Sequence, residues 1–268
     1  MESIAQSLLA EKRALVCGGS QGIGRACAVE LARLGARVTP AARDEEALRR
    51  LCDDLPKPGG PAQRHEFLAA DFSKPNELEV KFRGYLQSSG PIHILVNNTG
   101  GPPSGAILDA GADDFLQAFS NHVLCNQLLV RAVVPGMKAA GYGRIINIVS
   151  TSVIQPIRGL GVSNTTRGAV ANWGRTLAAE LAPFGITVNN VLPGYTDTAR
   201  LRSLLQVKAE KARVGLEEFE RQLIQAIPMG RYARPEEIAA VVGFLATPAA
   251  SYVTGVNLPV DGGRMAVQ

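Results

Sequence analysis

The sequence predicts an α/β protein built on a doubly wound parallel sheet of seven strands with helices on both faces. Short β-type runs alternate with longer segments of helical periodicity along the 268 residues, as is typical of a parallel sheet covered by helices. Hydrophobic residues make up 46% of the chain and charged residues 19%, which allows a sizeable core and excludes a disordered chain. Segments dense in proline and glycine, at 55–61 and 100–105, are each no longer than a loop. We therefore expect one Rossmann-type domain over residues 1–268.

The strand candidates are short runs rich in aliphatic and β-branched residues. In chain order they are Ala14–Cys17, Arg37–Ala42, His65–Ala70, Ile92–Val96, Arg144–Val149, Thr187–Val191 and Val256–Val260. Among the predicted helices Ile23–Leu34 is the clearest, because its apolar residues recur at helical spacing and Gly35 closes it. Pro40 predicts a bulge or an early end in the second strand, since proline lacks the N–H that a sheet ladder uses.

Charge and cysteine usage exclude several classes of protein. The chain has 28 basic and 24 acidic residues, a surplus of +4, and no run of lysines and arginines, so nucleic acid is not an expected partner. Residues 1–13 lack a long apolar segment, and Ile238–Ala246 is far too short to span a membrane, so we expect a cytoplasmic protein. Neither a metal site nor a disulfide framework is predicted, because no CxxC pair occurs. The four single cysteines are Cys17, Cys27, Cys52 and Cys125.

A glycine-rich turn follows the first strand and opens the first helix. Glycines at such a turn let the backbone approach a pyrophosphate, while the helix N-terminus offers free N–H groups and a positive dipole end. The context therefore predicts a dinucleotide site, with an ordinary glycine-rich turn as the alternative. Its candidate cofactor contacts are Gly18, Ser20, Gln21, Gly22, Ile23 and Gly24.

The GxxxGxG spacing of this turn resembles the short-chain dehydrogenase/reductase family. Asn97–Gly100 is similar to the family's NNAG motif, Pro193-Gly194 to its PG motif and Val260–Gly263 to its C-terminal signature. The resemblance covers almost the whole chain and is nearest to members of the 3-oxoacyl-acyl-carrier-protein reductase type. It implies a seven-stranded Rossmann sheet, a small-molecule carbonyl or alcohol substrate, and a homotetramer or homodimer.

Arg43 favours NADP(H) as the cofactor. An acid at the end of the second strand would bind the ribose 2′-OH of NAD, whereas an arginine there suits the 2′-phosphate of NADP. Ala42 occupies the acid's position and Arg43 follows it. Asp44 leaves NAD(H) open, and Arg43 could instead form an exposed pair with Asp44 or Glu46.

The resemblance also implies cofactor contacts beyond the turn. Asp71 is similar to the family's adenine-contacting acid, Asn97 to a residue lining the cofactor cleft and Thr198 to the threonine near the nicotinamide carboxamide. Each could instead be a turn or cap residue. The remaining candidates of this kind are Phe72, Asn98, Gly100, Pro193, Gly194 and Thr196.

The catalytic pattern departs from the Asn, Ser, Tyr, Lys set that the resemblance implies. Ser150, after the fifth strand, takes the serine position. Ser163 and Arg167 stand where the proton-donating tyrosine and the lysine are expected, on one helix face at i, i+4. An aliphatic hydroxyl is a much weaker acid than a phenol of pKa about 10, and arginine stays protonated. Arg167 would hold the nicotinamide ribose or polarise the carbonyl oxygen.

His122 is the expected counterpart of the family's asparagine, although a slip of one residue would substitute Asn121. Phe115, Phe119 and His122 are spaced so that they share one apolar helix face. A core histidine bonded to a backbone carbonyl is one interpretation. The other is a proton donor that titrates near neutrality, and Tyr195 is a second candidate donor.

Residues 199–234 are predicted to form a lid over the substrate. They hold eight basic and four acidic residues, so the whole surplus of +4 lies in this segment. Such a lid could steer an anionic or acyl-carrier-linked substrate, and lids of this sort exclude water on closing. The apolar residues available to cover a ligand are Leu201, Leu204, Leu205, Leu216, Phe219, Leu223 and Ile224.

The sequence leaves three functional hypotheses. The first is an NADP(H)-dependent oxidoreductase that interconverts a carbonyl and a secondary alcohol with an atypical proton donor. The second is a catalytically silent nucleotide-binding homologue that acts as a sensor or oligomer partner. The third is a lyase similar to haloalcohol dehalogenases, which carry arginine for the lysine but retain the tyrosine and lose the glycine-rich turn.

Overall fold

In the computed structural model, which describes residues 8–267, seven parallel strands form a single sheet. The strand order is β3-β2-β1-β4-β5-β6-β7, so the predicted fold class is confirmed. Residues 1–7 of the N-terminal segment and Gln268 lie outside the described residues. The strands are β1 (Arg13–Cys17), β2 (Arg37–Ala42), β3 (Leu68–Ala69), β4 (Ile94–Asn97), β5 (Gly143–Ile148), β6 (Ile186–Pro193) and β7 (Asn257–Val260).

Helices cover both faces of the sheet because alternate strand residues point to opposite sides. Val16 packs in a cluster with Leu31 and Ile238 on one face, while its neighbour Leu15 packs with Phe82 and Leu129 on the other. Within residues 8–267, no helix is long and apolar enough to cross a membrane. The helices are α1 (Gly22–Arg33), α2 (Glu45–Asp54), α3 (Pro75–Ser89), α4 (Ala112–Phe119), α5 (Cys125–Ala140), α6 (Gly161–Leu181), α7 (Ala199–Ala212), α8 (Leu216–Gln225) and α9 (Pro235–Ala246).

Two predicted strands begin later than expected because histidine side chains replace backbone partners. The strand predicted over His65–Ala70 is reduced to Leu68–Ala69, and the Nδ1 atom of His65 accepts the Val38 N–H at 3.1 Å. The strand predicted from Ile92 starts at Ile94, and the Nδ1 atom of His93 accepts the N–H of Arg13 at 3.1 Å. Both rings must be unprotonated at Nδ1 to accept these bonds.

Pro40 neither bulges nor ends β2, which continues through Ala42 with Pro40 opposite Val16 of β1. Val38 and Ala42 use their carbonyl oxygens on the β3 side, accepting from Glu66 and Ala70. Pro40 shares their parity in the strand, so its missing N–H faces the short edge strand rather than the sheet centre. The shortness of β3 accommodates the proline.

A π-helical turn, Ser120–Leu124, joins α4 to α5. It contains both Asn121 and His122. Such turns insert an extra residue into a helix and frequently occur at functional sites.

Candidate active site

The glycine-rich turn at the carboxyl end of β1 is closely packed. Gly18 has a φ of 61° and Gly22 a φ of 54°, which favour glycine over other residues. A Cβ on Gly24 would collide with the Gly18 carbonyl oxygen and lie 2.7 Å from Nδ2 of Asn98. Asn98 Nδ2 donates to the Cys17 carbonyl oxygen at 3.1 Å and so fixes the turn to the strand end. Substitution by a larger residue would therefore disturb both the turn and its attachment.

The turn and its surroundings fit a bound dinucleotide. The helix α1 begins at Gly22 with no acidic residue in its first turn, so its positive end is free to attract phosphate. Across the cleft, no described atom lies within 4 Å of where a Cβ on Gly100 would stand. Thr198 contributes a further wall, with its methyl group 3.3 Å from the Cβ position of Gly22.

Arg43 is available to a ligand because the neighbouring acids have other partners. Asp44 caps α2 by accepting the Ala47 N–H at 2.9 Å, and Glu46 pairs with Arg50 at 3.1 Å. Among the described residues, Arg43 forms no ion pair of its own. The exposed pair with Asp44 or Glu46 that the sequence left open is therefore not formed.

Asp71 is shaped as a turn acid near Arg43. Its Oδ1 accepts the backbone N–H of Ser73 at 2.9 Å and the Ser73 hydroxyl at 2.8 Å. The Ser73 backbone N–H lowers the pKa of Asp71, and the charges of Arg43 and Lys74 add to that shift. The neighbouring Phe72 accepts the Cys125 thiol through its carbonyl oxygen at 3.1 Å.

The loop after β6 is held tightly before the lid begins. A Cβ on Gly194 would stand 2.8 Å from the Asp261 Cα, so the loop passes close to the chain after β7. Thr196 is buried and donates to the Gly194 carbonyl oxygen at 3.3 Å. Thr198 caps α7 by accepting the Leu201 N–H at 3.2 Å. Pro193, the last residue of β6, pairs with Val260.

A ladder of asparagine amides crosses four neighbouring strands of the sheet, β4 to β7, and the sequence analysis did not predict it. Asn97 donates to Asn147 at 2.8 Å, Asn147 to Asn190 at 2.9 Å and Asn190 to Asn257 at 2.8 Å. Each pair is directly opposite in the sheet register. The signal was at least one asparagine in each of four strands, but register cannot be read before the strand order is known. The ladder leaves the buried Oδ1 of Asn97 without a described partner at its end.

Arg167 joins the carboxyl ends of β4 and β5. Its Nη1 donates to the Ile148 carbonyl oxygen at 2.8 Å and its Nη2 to the Thr99 carbonyl oxygen at 3.3 Å. A lysine is a point charge on a flexible stem and could not reproduce this two-pronged contact. Burial, and then the charge of Arg200, lower the pKa of Arg167 to about 10, which leaves it protonated at neutral pH.

His122 points into the same network. Its Nδ1 lies 2.6 Å from the Thr99 hydroxyl oxygen, and the side chain is 2% exposed. Burial, and then the charge of Arg167, lower the pKa of His122 to about 3. His122 is thus a buried histidine whose partner is the Thr99 hydroxyl rather than a backbone carbonyl, and this pKa does not match titration near neutrality. Thr99, the residue that links Arg167 to His122, replaces the alanine of the family motif, and that replacement was a signal left unused.

In the π turn, His122 rather than Asn121 faces Thr99. Asn121 turns away from Thr99, and its amide lies 2.7 Å from that of Gln117. Phe119, expected on the face of His122, is 45% exposed. His122 is buried, as expected of the apolar face, whereas Phe119, the residue directly before the π turn, is not.

The remaining candidate donors are less closely tied to this network. Ser150 follows β5, and its Oγ accepts the Ser152 N–H at 3.1 Å, the turn role that the sequence left open. Ser163, partly buried in the first turn of α6, has no side-chain hydrogen bond to any described residue. The Tyr195 ring packs 6.1 Å from that of Tyr232 and 5.1 Å from the Arg264 guanidinium.

Helices α7 and α8 make up most of the predicted lid. Leu201 and Leu205 are buried against the protein, whereas Leu216 is 37% exposed. A cavity of about 400 Å³ lies among residues of both helices and the segments that flank them. It is lined by Asp197, Leu201, Arg202, Leu205, Leu216, Glu220 and Tyr232.

Four of the eight lid cations form ion pairs. Arg231 and Arg234 share Glu237, at 2.7 Å and 3.9 Å. The other pairs join Arg202 to Asp197 and Arg221 to Glu218. Within residues 8–267, no ion pair involves the other four lid cations, which are Arg200, Lys208, Lys211 and Arg213.

The chain is similar to known reductases. A family model described as "Enoyl-(Acyl carrier protein) reductase" matches residues 18–264. The 3-oxoacyl-[acyl-carrier-protein] reductase FabG of Pseudomonas aeruginosa is 35% identical over 254 residues, which cover 94% of this chain and 96% of that protein.

Solved structures of named reductases share the whole fold. YwfH, described as an NADPH-dependent reductase involved in bacilysin biosynthesis, has a TM-score of 0.90 at 28% identity and covers 97% of this chain and 100% of its own. L-sorbose reductase from Gluconobacter frateurii, complexed with NADPH and L-sorbose, has a TM-score of 0.89 at 28% identity, covering 98% and 100%. The chain therefore belongs to the short-chain dehydrogenase/reductase family and is an oxidoreductase of that family.

Proposed function

We propose that this chain is an NADP(H)-dependent oxidoreductase that interconverts a carbonyl and a secondary alcohol, with Ser150, Ser163, Arg167 and His122 in place of the family's usual catalytic set. The observation that carries the proposal is a close-packed glycine-rich turn at the end of β1 together with a protonated Arg167 at the ends of β4 and β5. The named reductases among its relatives favour neither a silent homologue nor a lyase. A small-molecule substrate and a homotetramer belong to the same proposal.

The cofactor would lie along the carboxyl edge of the sheet. The turn at Gly18–Gly24 and the N-terminus of α1 would hold its diphosphate, Arg43 its 2′-phosphate, and Thr198 would lie near the nicotinamide. When bound, the nicotinamide supplies or accepts a hydride.

Arg167 would do the electrostatic work that the tyrosine and lysine share elsewhere in the family. Its guanidinium, held by two carbonyl oxygens, retains N–H groups for the substrate oxygen and stabilises the negative charge that develops on it. Ser150 and Ser163 would orient the oxygen through their hydroxyls. His122, neutral because its pKa is about 3, would orient the Thr99 hydroxyl rather than donate a proton as a cation, and water would supply the proton that Ser163 passes to the substrate oxygen.

The test is oxidation of NADPH against a broad panel of aldehydes and ketones. The reaction is followed by the loss of absorbance of the reduced nicotinamide at about 340 nm. We expect turnover with at least one carbonyl and its loss in Ser150→Ala. Tight NADPH binding with no turnover above background for any substrate would overturn the proposal.

A further inference from the structure

Two arginines from different helices border one point on the loop after β4. Arg200, in the first turn of α7, donates through Nη2 to the carbonyl oxygens of Gly101 and Pro102, at 3.3 Å and 2.8 Å. Its Nη2 and that of Arg167 lie 3.7 Å and 3.8 Å from where a Cβ on Gly101 would stand. Apart from these two nitrogens and the adjoining loop residues, no described atom lies within 4 Å of that point, so both guanidinium groups border it.

The positive charge at this point is not neutralised. Within the described part of the chain, neither Arg167 nor Arg200 takes part in an ion pair. Asp197, the acid nearest to Arg200 in sequence, is held by Arg202, whose Nε lies 3.0 Å from Oδ1. The first turn of α7 contains no acidic residue, so its dipole adds positive potential. The lowered pKa of Arg167 reflects the proximity of Arg200 as well as burial.

We propose that Arg167 and Arg200 together bind a carboxylate of the substrate, so that the enzyme prefers oxo acids to neutral ketones. The inference rests on the proposed function, because it places the carboxylate beside the carbonyl that Arg167 polarises. An oxo acid carries these two oxygen groups close together, and the planar fork of one guanidinium can reach both. Arg200 supplies the second cation from the lid.

The experiment uses acetoacetate and its methyl ester, which present the same ketone with and without a charge. Calorimetric titration of the complex with NADP⁺ measures their binding without turnover. We expect the acid to bind at least about tenfold more tightly than the ester, since a charge-assisted pair is worth that much. Arg200→Gln is expected to abolish this preference and to leave the NADP⁺ Kd within about twofold.

Two further variants separate binding at this point from the general charge of the lid. Lys211→Gln removes one charge from the last turn of the same helix and should retain the preference for the acid. Gly101→Ala keeps both arginines but places a methyl group at ordinary contact distance from each. We expect it to weaken acid binding several-fold and ester binding little.

The outcomes distinguish this inference from the function on which it rests. Equal binding of acid and ester by the wild type, or equal loss of both in Arg200→Gln, would overturn the carboxylate site. A weaker NADP⁺ Kd in Arg200→Gln would instead assign the arginine to the cofactor diphosphate and overturn it also. Absence of NADPH oxidation alone would overturn the proposed reductase, whereas the binding preference would still be measured.

Discussion

On the proposed cofactor side of the site, the glycine-rich turn and Asn98 keep the residues of the family motifs, and Asn98 ties the turn to the end of β1. On the proposed catalytic side, Thr99, His122, Ser163 and Arg167 stand where the resemblance predicts alanine, asparagine, tyrosine and lysine. Three of these four replacements contact one another, because Arg167 donates to the Thr99 carbonyl and the Thr99 hydroxyl meets His122. The proposed catalytic side thus holds a connected network of residues that depart from the family motifs, whereas the cofactor side keeps those motifs.

The strongest test of this comparison is to replace one member of the network by the residue that the family carries at that position. Arg167→Lys keeps the charge but loses the fork that holds the ends of β4 and β5. We expect kcat/KM to fall about 10²-fold, the usual effect of losing a placed oxyanion donor. Steady-state kinetics with the best substrate of the panel would measure this.

The matched measurement for Arg167→Lys is the Kd of NADPH, which should change by no more than about twofold if the arginine acts on the substrate oxygen. An equal fall in cofactor affinity would show that Arg167 serves the nicotinamide ribose instead. Full activity in the variant would show that the network is dispensable. The replaced residues would then not distinguish the catalytic side from the cofactor side in function.

The pH dependence of stability offers a second way to probe the catalytic side. The pKa of His122 is about 3 in the folded protein, against about 6.5 when unfolded, so the unfolded chain binds the extra proton. His122 therefore makes its full contribution to the free energy of unfolding above pH 6.5, and that contribution declines as the pH falls below 6.5. For His122 alone we expect a loss of about 2 kcal/mol between pH 7.5 and pH 5.

Denaturant unfolding at both pH values would measure this loss in the wild type and in His122→Asn. His65 and His93 also have lowered pKa values, through burial, and remain in both proteins. The variant should therefore keep their share of the pH dependence and lack that of His122. The same pH dependence in both proteins would contradict the burial of a neutral His122.

The contrast between the two sides also explains what the sequence could predict. The seven strands and the glycine-rich turn depend on local patterns of apolar residues and glycine, and the structure contains all of them. The late starts of β3 and β4 depend on His65 and His93 accepting backbone N–H groups from another strand. No local pattern records such a contact.

The catalytic side shows the same limit more strongly. His122 lies in a π turn, which shifts the helical phase, and Phe119 directly before that turn is exposed. Its pKa depends on burial and on Arg167, which lies on another helix. The roles proposed for Thr99 and Arg200 depend on contacts that form only when β4, α6 and α7 come together.

A smaller effect is expected from a substitution on the cofactor side. Arg43 has no ion-pair partner among the described residues, since Asp44 caps α2 and Glu46 pairs with Arg50. Arg43→Ala should weaken NADPH binding about tenfold, the usual worth of one exposed charge-assisted contact to phosphate, and leave NADH binding unchanged. Asp44→Asn, which removes an acid from the same turn, is the control and should not weaken NADPH binding. If Arg43→Ala weakens both cofactors equally, the arginine contacts a part that they share. The preference for the 2′-phosphate would then have to arise from other residues. The cofactor side would in that case differ from the family although its sequence motif matches.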